Sequence, residues 1–152
     1  MIKILFVCHG NICRSPMAEF VMKDMAKDFQ GKLEIASAAT STEELGNPVY
    51  PPARRELARH GISCDGKVAR QMTVADYDYY DCIVAMDALN LRNMKRFVGE
   101  DPKGKVSRLL DYTSSPHDVA DPWYSGDFET TYNDVKKGCK ALLEKLREEG
   151  KI

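Results

Sequence analysis

The chain has 152 residues, of which 43% are hydrophobic and 30% are charged, and its formal net charge is −1. This composition is typical of a folded globular domain, and the balanced charge gives no indication of nucleic-acid binding. The apolar runs at 4–8 and 82–86 are too short to cross a bilayer, and the first residues do not resemble a signal peptide. Five cysteines, an odd number, argue against a disulfide framework. We therefore expect one domain over residues 1–152, in the cytoplasm and without membrane contact.

The predicted elements alternate between strands and helices. Apolar, β-branched runs predict strands at 2–7, 33–38, 81–86 and 106–110. Apolar periodicity and the proline and glycine boundaries predict helices at 16–30, 53–60, 88–98 and 132–149, with Ser15 as the cap of the first. Residues 40–52 and 114–127 are predicted loops, and 62–73 an irregular segment with a short edge strand. This order predicts an α/β fold in which helices flank both faces of a four-stranded parallel sheet.

The loop after the first strand carries the clearest chemical signal. Five residues separate Cys8 from Arg14, and Ser15 and a helix follow. Sites in parallel sheets lie beyond the carboxyl ends of the strands, which is where this loop is placed. Backbone N–H groups at a helix N-terminus bind a tetrahedral oxyanion, and an arginine adds a bidentate fork. The predicted phosphate-binding residues are His9, Gly10, Asn11, Ile12, Cys13 and Arg14.

Cys8 lies in the same loop, which predicts a nucleophile. The positive potential of such a loop lowers the pKa of a thiol, and a thiolate attacks phosphorus. Ser15 can donate a hydrogen bond to the sulfur, Gly10 allows a tight backbone, and Asn11 can hold a left-handed conformation. The bare spacing also suits a buried structural cysteine, but the strand–loop–helix context favours the phosphate site. Zinc sites prefer closer pairs of ligands, so no metal is expected.

A phosphomonoester also needs a proton on its leaving oxygen. Asp121, followed by Pro-Trp-Tyr in the loop 114–127, is the candidate general acid. From the residues alone, an Asp-Pro turn explains this position equally well. Trp123 and Tyr124 can wall the entrance of the site and stack on an aryl ring, or they are ordinary aromatic residues.

The segment Val7–Glu19, VCHGNICRSPMAE, resembles the signature of the low-molecular-weight protein tyrosine phosphatases. Further blocks that match this family follow in order along the chain, at 37–39, 59–62, 85–87 and 121–124. The resemblance implies a four-stranded parallel sheet flanked by helices. It also implies a cysteinyl-phosphate intermediate and no metal or organic cofactor.

The same resemblance implies roles for individual residues. Asp121 corresponds to the general acid, which later acts as the base for the hydrolytic water. Asn11, Ser37 and His60 correspond to a hydrogen-bond network that supports the loop. Cys13 resembles a second cysteine that forms a disulfide with the nucleophile upon oxidation.

Two rival activities belong to the same fold. One class of arsenate reductase needs a further redox cysteine just after the strand that ends here at Met86, where this chain has Asp87. Arginine-phosphate phosphatases carry a threonine where this chain has Ile12, whose apolar side chain fits the tyrosine-directed group. A non-catalytic phosphate-binding module is a third alternative, disfavoured because the nucleophile, the arginine and the candidate acid are all present.

These features predict a phosphatase that hydrolyses phosphotyrosine in proteins, and small aryl phosphates, as a monomer. Its expected partners are tyrosine-phosphorylated proteins, with phosphate or other oxyanions as competitive ligands. Ile12, Trp123 and Tyr124 are the predicted walls around the substrate ring. Glu43 and Glu44 should repel acidic phosphopeptides if their loop lines the cleft.

Overall fold

Four parallel strands form the centre of the structure. The computed structural model describes residues 1–152. The strands are β1 (Ile2–Cys8), β2 (Leu33–Ala39), β3 (Cys82–Ala85) and β4 (Val106–Arg108), in the sheet order β2-β1-β3-β4. Cys8 pairs with Ala39 at the end of β2, and Val7 pairs with Ala85 at the end of β3. The carboxyl ends of these three strands therefore meet at one edge of the sheet.

Six helices surround this sheet. They are α1 (Arg14–Met25), α2 (Pro51–Arg59), α3 (Val74–Tyr79), α4 (Ala88–Val98), α5 (Pro122–Ser125) and α6 (Phe128–Glu148). Helices α1, α2 and α6 pack together on one face of the sheet, and α3 and α4 pack on the other. The predicted α/β fold, with helices on both faces of a four-stranded parallel sheet, is confirmed.

The central strand β1 contributes side chains to both hydrophobic cores. Ile4 and Phe6 are buried on the α1 side of the sheet, and Leu5 and Val7 are buried on the α4 side. Because successive side chains of a strand point to opposite faces, Cys8 falls on the α1 side. The alternation of β1 thus directs the thiol toward the N-terminus of α1.

The structure differs from the prediction at several boundaries. Strand β4 is shorter than predicted, because Leu109 and Leu110 are buried in a 3₁₀ helix that packs against α6. Helix α6 begins four residues earlier, at Phe128, because Asp127 caps it by accepting from the N–H of Thr130. Helix α2 starts at the two prolines instead of after them.

Helix α3 was not predicted, although its start has a recognisable signal. At its N-terminus the Asp76 carboxylate accepts from the backbone N–H of Thr73 over 2.8 Å, which is one half of a capping box. The irregular segment 62–73 contains no regular edge strand, only single bridges from Val68 to Pro48 and from Gln71 to Ala39. None of the helices combines the length and the apolar character that crossing a bilayer requires.

Candidate active site

The loop between β1 and α1 is built around the thiol of Cys8. This thiol is buried, and the backbone N–H of Asn11 donates to its sulfur over 3.4 Å. Ser15 Oγ lies 3.0 Å from the same sulfur. Asn11 has a φ of 59°, in the left-handed region that asparagine adopts more readily than most residues. Two polar groups are thus directed at a sulfur that sits beside a helix N-terminus, where negative charge is stabilised.

The side chain of Asn11 fixes the direction of the hydrogen bonds around Ser15. Its Nδ2 donates to Ser15 Oγ over 2.7 Å and to Ser37 Oγ over 2.9 Å. Its Oδ1 accepts from the backbone N–H of Arg70 over 3.3 Å, which sets the orientation of the amide. Because Ser15 accepts from Asn11, its own proton is left for the Cys8 sulfur. Ser15 is therefore a hydrogen-bond donor to the thiol.

The prediction that Ser15 caps α1 is wrong. The helix begins two residues earlier than predicted, at Arg14, and Cys13 occupies the N-cap position without a side-chain cap. The reason is that the Ser15 hydroxyl is engaged by Asn11 and Cys8 instead of by the helix backbone.

A buried glutamate extends this chain of hydrogen bonds. Ser37 Oγ donates to Glu19 Oε1 over 2.6 Å. Glu19 is 4% exposed and is paired with Lys23 at 2.6 Å and with Lys67 at 3.4 Å. Lys67 also donates to the backbone carbonyl of Ser37 over 2.9 Å. Burial lowers the pKa of Lys67, while Glu19 acts in the opposite direction. These contacts hold β2 against the Cys8 loop.

The structure does not bring His60 to this network, so its predicted role is wrong. Its ring stacks on that of Tyr132 at a centroid distance of 3.8 Å, and its Nε2 contacts Glu56 Oε2 at 3.1 Å. Lys67 occupies the place beside Ser37 that the prediction gave to His60.

Glu19 and Lys67 were missed as supports of the loop. Glu19 had a detectable signal, an acidic residue four positions after Ser15 on the buried face of α1. Lys67 had none, since thirty residues separate it from Ser37.

Arg14 is buried and connects three segments of the chain. Its Nη1 donates to Asp87 Oδ2 over 2.6 Å and to the carbonyl of Val119 over 2.9 Å. Its Nη2 lies 3.5 Å from Asp121 Oδ2. Burial alone would lower the pKa of Arg14, but the nearby Cys8 and Asp87 outweigh it and raise that pKa above its ordinary value. The structure thus shows Asp87 as the charged partner of Arg14.

The candidate acid, Asp121, lies beside this guanidinium. It caps α5, and its Oδ1 accepts from the N–H of Trp123 over 3.0 Å. Its Oδ2 has Arg14 Nη2 as its nearest polar contact, and the side chain is 27% exposed. One carboxylate oxygen is therefore used for local structure, and the other is directed at the arginine and is accessible from the cleft.

A cleft of about 210 Å³ lies above the loop. It is lined by Cys8, His9, Gly10, Asn11, Ile12, Cys13, Arg14, Glu43, Glu44, Asp121, Trp123 and Tyr124. All predicted residues of the phosphate loop and of the substrate wall thus share one space with the candidate acid.

The two walls of this cleft differ in chemistry. On one wall Trp123 is half exposed and leans on Tyr50, with 4.9 Å between ring centroids, and Tyr124 is largely exposed. On the other wall Glu43 lies 3.0 Å from His9 Nε2. Glu44, beside Glu43, accepts from the side chain of Asn47 over 2.6 Å. The acidic loop therefore does line the cleft.

Cys13 faces the same loop but differs from Cys8 in its surroundings. It is 5% exposed and packs with Ile12 and Ala69. Burial, together with the nearby Cys8, raises the pKa of the Cys13 thiol to about 12. Cys13 is consequently a neutral thiol at physiological pH.

Comparison with known proteins identifies this arrangement. A model of the family described as low molecular weight phosphotyrosine protein phosphatase matches residues 3–152. The chain belongs to this family. A Bacillus subtilis protein, low molecular weight protein-tyrosine-phosphatase YfkJ, is 42% identical over 156 residues that cover 100% of both chains. A Gallus gallus low molecular weight phosphotyrosine protein phosphatase is 42% identical over 93% of this chain and 94% of its own.

The solved structures agree with the sequence relatives. The crystal structure of YfkJ superposes with a TM-score of 0.94 and 42% identity, over 98% of this chain and 96% of that one. The predicted membership of the low-molecular-weight protein tyrosine phosphatases is confirmed, and the protein is accordingly a hydrolase. The names of these relatives support the tyrosine phosphatase hypothesis, and they do not support the arginine-phosphate or arsenate alternatives.

The position of Asn11 generates a prediction about the loop. Asn11→Gly and Asn11→Ala both remove the amide that orients Ser15, so both should lower kcat/KM on an aryl phosphate. Alanine also has to adopt the left-handed conformation, at a cost of about 1–2 kcal/mol that glycine avoids. We expect kcat/KM to be highest for the wild type, lower for Asn11→Gly and lowest for Asn11→Ala. An alanine variant at least as active as the glycine variant would show that backbone conformation at residue 11 is not limiting.

Proposed function

We propose that Cys8, Arg14 and Asp121 hydrolyse phosphotyrosine in two steps through a cysteinyl-phosphate. The observation that carries this proposal is that a thiol, a guanidinium and a carboxylate line one cleft at the carboxyl edge of the sheet. The loop of residues 8–14 supplies N–H groups and the start of a helix to hold the phosphoryl oxygens. Arg14 adds a fixed positive charge there, as phosphoryl transfer requires.

In the first step the Cys8 sulfur attacks phosphorus. A phosphorus–sulfur bond forms, the bond from phosphorus to the phenolic oxygen breaks, and Asp121 gives its proton to that oxygen. Asp121 Oδ2 is suited to hold this proton, since Oδ1 is occupied by the N–H of Trp123.

In the second step a water molecule replaces the sulfur. Asp121, now a carboxylate, takes a proton from the water as its oxygen attacks phosphorus. The phosphorus–sulfur bond breaks, and the thiolate leaves toward the hydroxyl of Ser15, which donates to it. Inorganic phosphate is the product, so phosphate and other oxyanions should compete with the substrate for the loop.

The walls of the cleft favour an aryl ester. Ile12, Trp123 and Tyr124 surround the entrance with apolar and aromatic surface, against which a flat ring can lie. Tyrosine has a phenol with a pKa near ~10, whereas the alcohol of serine is far less acidic and leaves less easily. We infer that phosphotyrosine is strongly preferred over phosphoserine.

The acid role of Asp121 is tested by varying the leaving group. Asp121→Asn should slow cysteine phosphorylation by about 10²–10⁴-fold on phosphotyrosine, the usual value of general acid catalysis. The loss should be much smaller on an aryl phosphate whose phenol is strongly acidic, because that oxygen leaves without a proton. Single-turnover rates are needed, since hydrolysis of the intermediate can limit turnover.

Cys8→Ser is the control for this experiment. It should abolish turnover of both esters while phosphate still binds, because the backbone loop and Arg14 remain. Equal slowing of both esters by Asp121→Asn would contradict the acid role and leave Asp121 as a structural cap of α5.

We also propose that Cys13 protects the nucleophile during oxidation. Peroxide oxidises the Cys8 thiolate to a sulfenic acid, and the Cys13 thiol can then displace water and form a disulfide. Peroxide inactivation should therefore be reversed by added thiols, and bound phosphate should slow it. In Cys13→Ser, recovery after prolonged peroxide treatment should fall well below that of wild type. Equal recovery in both proteins would refute this role.

The acidic wall predicts a preference among phosphopeptides. Glu43 and Glu44 lie at the cleft, so acidic residues beside the phosphotyrosine should meet like charges. Peptides with lysine flanks should have a higher kcat/KM than matched peptides with glutamate flanks, and the difference should shrink at high salt. The double variant Glu43→Gln, Glu44→Gln should bring the ratio of kcat/KM between lysine-flanked and glutamate-flanked peptides toward one. A ratio unaffected by both salt and the double variant would exclude this wall as a determinant.

We further propose that the chain acts as a cytoplasmic monomer with residues 1–152 as one domain. Five cysteines present as thiols suit the reducing conditions of that compartment. Tyrosine-phosphorylated proteins would be its partners.

A further inference from the structure

Two neighbouring residues anchor the acid loop, defined here as residues 113–121. Asp118 Oδ1 accepts from the backbone N–H of Ala88 over 3.0 Å and from Arg108 Nη1 over 2.9 Å. The N–H of Val119 donates to the carbonyl of Met86 over 2.9 Å. These anchors lie two and three residues before Asp121.

The anchoring groups come from one short junction, residues 86–88, between β3 and α4. The carbonyl of Met86 accepts from the N–H of Val119, and the N–H of Ala88 donates to Asp118. Between them, Asp87 pairs with Arg14 at 2.6 Å. Three consecutive residues therefore fix both the arginine and the loop that carries the acid.

Asp118 is well placed for its part of this arrangement. The Ala88 N–H belongs to the first turn of α4, where backbone donors lack partners within the helix and favour a carboxylate. Arg108 is itself held by Asp111 at 2.8 Å, so it presents its remaining nitrogen to Asp118 in a fixed direction. Asp118 does not line the cleft, so it has no contact with substrate.

We propose that Asp118 is a positioning residue, which with Arg108 sets the direction of the chain between Val119 and Asp121. The hydrogen bonds of Val119, from its N–H to Met86 and to its carbonyl from Arg14, fix that one residue, and the contact at Asp118 fixes the direction from which the chain enters it. Asp121 Oδ2 is thereby held where it can reach the leaving oxygen. This inference rests on the acid role proposed for Asp121.

The test measures single-turnover rates on phosphotyrosine and on an aryl phosphate with a strongly acidic phenol. Asp118→Ala should slow the first by about 10–100-fold, the range expected when a catalytic group is displaced. It should slow the second by less than about twofold, because that ester needs little acid catalysis. In an Asp121→Asn background, Asp118→Ala should cause almost no further loss of rate, because the general acid that Asp118 positions is already absent.

Two further variants separate positioning from general damage. Asp118→Asn keeps an oxygen for the Ala88 N–H but loses the charge that Arg108 meets, so its loss on phosphotyrosine should be intermediate; it also serves if Asp118→Ala does not fold. Asp78→Asn is the matched control: it removes an exposed ion pair, with Lys103 at 2.7 Å, that has no contact with the acid loop, so both rates should stay at the wild-type value.

The outcomes distinguish this inference from the proposal on which it rests. If Asp121→Asn shows the leaving-group dependence and neither Asp118 variant does, the positioning role is overturned. It is equally overturned if the loss from Asp118→Ala is the same for both esters or multiplies with that of Asp121→Asn. If Asp121→Asn itself shows no dependence on the leaving group, the result contradicts the acid role of Asp121, on which the positioning role rests.

Discussion

The burial of one positive charge, the guanidinium of Arg14, organises this active site. A buried cation is costly unless it is paired and hydrogen-bonded. Arg14, 3% exposed, finds its partners in Asp87 after β3 and in Val119 and Asp121 of the acid loop. Because these partners come from separate segments, satisfying the charge brings the nucleophile loop, the β3–α4 junction and the acid loop together. The charge proposed to bind phosphate is therefore also the charge that assembles the site.

A second set of interactions, centred on α1, controls the nucleophile. Arg14, Ser15 and Glu19 all belong to the first turns of that helix, and β1 delivers Cys8 to its N-terminus. Glu19 accepts a hydrogen bond from the Ser37 hydroxyl, which leaves Ser37 Oγ as an acceptor for Asn11. By accepting from Ser37, Glu19 thus sets the direction of each hydrogen bond up to the sulfur. A single helix carries both the guanidinium of Arg14 and the serine and glutamate that orient the hydrogen bonds around the thiol.

Sequence alone predicted the features that depend on local order. The four strands, the parallel sheet and the convergence of Cys8 and Arg14 on one loop follow from short patterns. The contacts from Lys67 to Ser37 and from Asp87 to Arg14 join residues 30 and 73 positions apart, and no local pattern encodes them. His60 was wrongly assigned for the same reason, since its surroundings depend on how α2 packs against α6. Helix α3 was missed because only one half of a capping box, and no apolar periodicity, marks it.

The lysine beside Ser37 has a consequence for how the loop responds to pH. A histidine in this place would change its charge between about pH 5 and 8, so support for the loop would vary across the working range of the enzyme. Lysine begins from a much higher pKa, and although burial lowers the pKa of Lys67, Glu19 at 3.4 Å favours its charged form. The hydrogen bonds from Ser37 through Asn11 to Ser15 are thus supported by a lysine, and their support does not depend on the titration of an imidazole.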